Sequence, residues 1–162
     1  MGVTDELIER NREYAAVHRA DRPLPPRLKL AVVACMDSRL DVFAMLGLDI
    51  GDAHIIRNAG GVVTDDVIRS LVVSQRKLGT EEVVLVHHTD CGALTYTDDE
   101  LRAELLEDTG QKPAWSPESF VDLDVDLKQS MERVRTSPFL PRRDQVRGFV
   151  FDVRSGALRE VV

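Results

Sequence analysis

The chain has 162 residues, 43% hydrophobic and 30% charged, enough to bury one core and expected to form a single domain. A net charge of -7 argues against the basic patches that nucleic acid or an anionic membrane would need, and no apolar run is long enough to span a bilayer. The start Met1-Gly2-Val3-Thr4-Asp5-Glu6 lacks an apolar leader core, so the two cysteines are expected to be reduced, in the cytoplasm.

Taken in chain order, Thr4 opens a predicted amphipathic helix, with Asp5 and Glu6 at its positive end and Leu7, Ile8, Tyr14, Ala15 and Val17 as its apolar positions. Asp21-Arg22-Pro23-Leu24-Pro25-Pro26 ends it as an extended connector, which makes residues 1–26 an arm free to reach away from its own core. Leu28 to Ala34 is a continuous apolar run with one lysine, the pattern of a strand buried on both faces, and it stops at Cys35. Leu40 to Leu48 predicts a short helix closed by Gly47, Ala53 to Ile56 a second strand, and Arg57-Asn58-Ala59-Gly60-Gly61 a loop. Thr64-Asp65-Asp66 opens a longer helix that ends at Gly79, with Val67, Leu71, Ser74 and Leu78 on one stripe. Glu82 to His87 repeats the buried-strand pattern.

Beyond Gly92 the periodicity predicts a helix over Leu101 to Leu106 and a loop at Thr109-Gly110-Gln111-Lys112-Pro113. Ser116-Pro117-Glu118 reads as a cap with proline at the first helical position, opening a helix whose stripe is Phe120, Leu123, Leu127, Met131 and Val134. Gly148 to Val153, the turn Arg154-Ser155-Gly156 and Ala157 to Val162 read as a terminal hairpin. The fold class is therefore α/β: a central, mostly parallel sheet flanked by helices, with an antiparallel strand or hairpin at its C-terminal edge.

Open α/β sheets bind ligands beyond the carboxyl ends of their strands. Cys35, the Asn58 to Gly61 loop and His88-Thr89-Asp90-Cys91-Gly92 all fall at such ends. Two thiolates and an imidazole select zinc among common metals, and three protein ligands leave a fourth position open, as in catalytic zinc. On spacing alone, two buried reduced thiols in a core remain the simpler reading.

Taken together, Cys35-x-Asp37-Ser38-Arg39, the Arg57-Asn58-Ala59-Gly60-Gly61 loop and His88-x-x-Cys91-Gly92 resemble, in that order, the motifs of the β-class carbonic anhydrases. The likeness runs from about Ala31 to Gly92, and the chain's length and ending are similar to the small, Cab-like branch. What the resemblance implies is one Zn2+ per chain on Cys35, His88 and Cys91, and reversible hydration of carbon dioxide to bicarbonate and a proton by water that the zinc activates. It also implies that Asp37 accepts a hydrogen bond from that water while paired with Arg39. Asp37 could instead close onto the metal, which would make Arg39 a latch. Ala59 and Gly60 offer backbone N–H groups to a bicarbonate oxygen, although a tight turn needing glycine explains the same residues. A homodimer is expected, with the site close to its interface.

The donor set has formal charge zero with zinc, so it should acidify water less than a three-histidine site, and activity should rise into the alkaline range. His87 stands where many relatives have glycine, and strand alternation turns it away from His88. His54 is a candidate proton carrier at the site mouth, and His18 a surface residue. Leu40-Asp41-Val42-Phe43 lacks the proline common after this arginine, and the segments of longer plant-type relatives are absent, so no pocket-lining residues are assigned. Two competing functions remain. One is hydrolysis of carbon disulfide or carbonyl sulfide on the same ligands. The other is a non-catalytic zinc or redox module with a Cys35–Cys91 disulfide, although neither Cys-x-x-Cys nor Cys-x5-Arg occurs.

Overall fold

The computed structural model describes residues 2–19 and 21–162. Five strands form one sheet: β1 (Leu30–Cys35), β2 (Ala53–Asn58), β3 (Glu82–His88), β4 (Val146–Phe151) and β5 (Leu158–Val161), in the order β2-β1-β3-β4-β5. The first four are parallel, and β5 pairs antiparallel with β4. The helices are α1 (Val3–Val17), α2 (Val42–Leu46), α3 (Asp65–Leu78), α4 (Asp98–Thr109) and α5 (Leu123–Thr136). This is the expected α/β sheet with its antiparallel C-terminal edge.

The two central strands are apolar because both of their faces are covered. On one face Ala31, Val33, Val83 and Leu85 meet Val67 and Leu71 of α3 and Leu127, Met131 and Val134 of α5. On the other, Val32, Ala34 and Val86 meet Val42, Met45 and Leu46 of α2. Helix α5 lies so close to β4 that a Cβ on Gly148 would stand 2.9 Å from Leu127 Cγ and 3.0 Å from Met131 Sδ. The arm behaves differently: every described residue of α1 is exposed, including Leu7, Ile8, Tyr14 and Val17.

Helix boundaries follow local caps. Thr64 accepts a hydrogen bond from the Val67 amide, and α3 closes at Gly79 in the left-handed region. Asp41 caps α2, so Asp37 is not spent as a helix cap. Helix α4 is longer than its apolar positions predict, because Thr97 caps it and forms a capping box with Glu100 in its first turn.

One predicted start is wrong. Helix α5 begins at Leu123, not after Ser116, because Asp122 accepts from the amides of both Asp124 and Val125 and is the effective cap. The Ser116 and Ser119 hydroxyls instead donate to Asp98 at 2.8 and 2.6 Å, and Glu118 takes a φ of 58°, which no helix accommodates. Phe120 therefore leaves the helical stripe and packs over the end of the sheet.

Candidate metal centre

The carboxyl ends of β1 and β3 place the three metal-ligand candidates together. Ala34 is paired with Val86, so Cys35 and His88 leave adjacent central strands and the following turn returns Cys91. The sulfurs of Cys35 and Cys91 and a ring nitrogen of His88 all lie within 4.8 Å of one another, and all three residues are buried. The two sulfurs are 3.9 Å apart.

Each donor is aimed by its neighbours. His88 Nδ1 donates to the Thr89 carbonyl at 2.9 Å, which leaves Nε2 buried without a partner and carrying a lone pair. The contact between the two sulfurs, with the nearby His88 ring and the backbone amides of Asp37 and Gly60, holds Cys35 well below the ordinary thiol range against the effect of burial. Cys91 is pushed up by the same pairing and by burial. Burial pulls His88 down, but the neighbouring Cys35 sulfur and its charge, with the Thr89 carbonyl and Asp37, outweigh this and leave the ring more basic than usual. Two sulfurs and an imidazole nitrogen with a free lone pair, buried within 4.8 Å of one another, fit a soft divalent ion, whose binding would displace the thiol protons.

Beside the donors stands Asp37. Arg39 donates to it from Nε at 3.0 Å and from Nη2 at 2.7 Å, and the Arg39 amide adds a third bond at 2.9 Å. These bonds hold the carboxyl far below the usual carboxylate range, so Asp37 is an acceptor only. Its Oδ2 lies 3.8 Å from His88 Nε2. The Cys35 to Asp37 turn is clamped from β2: Arg57 Nε donates to the Cys35 carbonyl at 2.9 Å and Nη2 to the Asp37 carbonyl at 2.6 Å.

Ala59–Gly61 is one tight 3-10 turn, with Gly60 at φ 79° and Gly61 at φ 69°. A Cβ on Gly61 would stand 2.8 Å from Cys35 N and 3.1 Å from Val86 O, so glycine there lets the turn press against both central strands. Ala59 is exposed and Gly60 is buried.

The remaining histidines lie elsewhere. His87 projects to the α5 side, where Nε2 donates to Asp126 Oδ2 at 2.6 Å and the ring stacks on Phe120 at 5.2 Å. His54 does not reach the site mouth: as the second residue of β2, paired with Ala31, it sits four residues from the strand's carboxyl end, about 13 Å away. Its Nδ1 meets the Ser74 hydroxyl at 2.8 Å, and burial lowers its pKa. His18 is exposed against Tyr14. Sequence reasoning quoted Arg57 without a role and passed over Asp90 and Asp126. The position of Asp90 between two metal-ligand candidates was the available signal.

Fold and site together define an α/β protein with a buried Cys-His-Cys cation site and a carboxylate–guanidinium pair at its edge. The carbonic anhydrase family model matches residues 30–158. Beta-carbonic anhydrase 1 of Mycobacterium tuberculosis is 53% identical over 161 residues, covering 99% of either chain. A crystal structure of carbonic anhydrase from Streptococcus mutans superposes with a TM-score of 0.93 at 43% identity, covering 100% of this chain and 99% of that one. A carbon disulfide hydrolase of Acidianus is more distant, 34% identical over 181 residues, covering 96% of this chain and 87% of its own. The chain belongs to the carbonic anhydrase family, in its β class, whose members are lyases that hydrate carbon dioxide.

Proposed function

We propose that this chain holds one Zn2+ on Cys35, His88 and Cys91 and converts carbon dioxide and water reversibly to bicarbonate and a proton. The observation that carries the reading is the buried, unpartnered His88 Nε2 facing two sulfurs inside one 4.8 Å cluster. Bound there, zinc supplies Lewis-acid activation of water. The chain's residues supply the rest. Asp37, kept ionised by Arg39, accepts a hydrogen bond at the edge of the donor cluster and so fixes where an O–H points. Arg39 occupies both carboxylate oxygens and thereby restrains Asp37 from becoming a ligand itself. Ala59 and Gly60, on the turn that follows β2, would offer backbone N–H groups to a bicarbonate oxygen.

A homodimer accords with the exposed apolar positions of α1 and with Phe43, Ile50 and Val73, which line a groove of about 500 Å³ along the β2 edge. Reduced thiol ligands suit the cytoplasm. Among the described residues no helix is long and apolar enough to cross a membrane.

The test is metal analysis and stopped-flow hydration on one sample. About one zinc per chain is expected, with carbon dioxide turned over faster than carbonyl sulfide is hydrolysed and the rate climbing toward alkaline pH. A metal-free Cys35–Cys91 disulfide, or a preference for carbonyl sulfide, overturns the proposal.

A further inference from the structure

Arg39 is held by a second residue besides Asp37. Its Nη1 donates to the Asp90 carboxylate at 2.7 Å and its Nη2 to the Asp90 carbonyl at 2.8 Å. Nε and both Nη atoms are thus engaged, with Asp37 taking one edge of the fork and Asp90 the other. A guanidinium bound on one edge only can pivot about its long side chain; bound on two it is fixed in plane. Asp90 also sits in the left-handed region at φ 56°, a conformation that costs a non-glycine residue about 1 kcal/mol. From that conformation it presents side-chain and main-chain oxygens to the same cation. Because Asp90 lies between His88 and Cys91, the contact joins the two turns that carry the metal-ligand candidates.

We infer that Asp90 is a positioning residue for the reaction: by holding Arg39 from the His88–Cys91 turn, it sets the geometry with which Arg39 orients Asp37. The inference rests on the proposed role of the Asp37–Arg39 pair. It assigns no proton transfer to Asp90, and it needs no contact between Asp90 and substrate.

The experiment compares Asp90→Asn, Arg39→Ala and the double variant as zinc-loaded protein. Asparagine keeps the left-handed backbone and the carbonyl acceptor and removes only the charged arm. Asp90→Asn should keep its zinc and melting temperature and lose about fivefold in kcat/KM, the scale a mostly exposed ion pair allows. The Arg39 Nε–H signal in 15N NMR should lose protection from solvent exchange. In the Arg39→Ala background the Asp90→Asn change should do nothing further. Wild-type turnover with an unchanged Nε–H signal overturns the inference, as does an undiminished Asp90→Asn loss without Arg39. Full activity in Arg39→Ala instead sinks the latch reading beneath it, a result distinct from either.

Discussion

The close approach of Gly61 to Cys35 can be tested by adding one methyl group. Gly61→Ala places a Cβ 2.8 Å from Cys35 N, 3.0 Å from Ala34 C and 3.1 Å from Val86 O, all of them backbone atoms of central strands that no rotamer change can move aside. Residue 61 also holds φ 69°, which alone costs alanine about 1 kcal/mol. Strain plus backbone overlap puts the loss at roughly 3–5 kcal/mol, a large part of the ~5–15 kcal/mol typical of a domain. For a chain of this length that is a fall of about 10 °C in Tm. Gly79→Ala is the internal control: φ is 74° there, but nothing lies within 4 Å, so only the strain of about 1 kcal/mol, or about 3 °C, should appear. Relieving the overlap at Gly61 must shift Cys35 relative to β3, so zinc content should fall in Gly61→Ala and hold in Gly79→Ala. Thermal melts followed by circular dichroism, with metal analysis, decide it. Equal melting temperatures for the two variants would show that the turn does not press on the strands as described.

Deleting residues 1–26 should leave the sheet folded, since among the described residues of that stretch only Pro26 is buried, and should weaken the proposed association in sedimentation; an unchanged association state refutes the arm's role. Acid should destabilise the protein in a defined window. Arg159 holds the Asp124 carboxyl, and the Ser155 amide and hydroxyl hold that of Asp152, below the ordinary 3.8. Groups whose folded pKa is depressed contribute fully above the unfolded value and lose that contribution as pH falls through the folded one. These carboxylates should thus make urea midpoints fall as the pH drops below about 4; a midpoint rising on that acidification would reverse the sign.

The parallel core and the metal-ligand candidates were legible in the sequence because each had one dominant cause. Buried strands such as Leu30–Cys35 are uniformly apolar, and Cys35, at the end of one, is the one cysteine left to join the His88-x-x-Cys91 turn that follows another. The start of α5 was misread because Ser116-Pro117 and Asp122 are both plausible caps, and only the tertiary pull of Asp98 on Ser116 and Ser119 decides between them. His54 was misplaced for a related reason: a strand residue's depth along the sheet depends on register, and register is set by pairing with β1. Asp90 left a weak trace, since nothing in Thr89-Asp90-Cys91 says that its φ is positive or that Arg39 is its partner.

The clamps around the donors differ in where they are anchored, and this ranks what can disturb the site. Cys35 and His88 end β1 and β3, whose pairing lies inside the sheet with helices on both faces, so their spacing is shielded from solvent and from partners. Asp37 is held from less protected ground: Arg39 is 46% and Asp90 76% exposed. Arg57 reaches the Cys35 and Asp37 carbonyls from β2, the outermost parallel strand. A partner seated along β2 would therefore be felt at the turn carrying Cys35 and Asp37 through one guanidinium, without altering the distance between the metal-ligand strands. Changes at the β2 edge should accordingly move turnover before they move zinc content, whereas changes at Gly61 should move both.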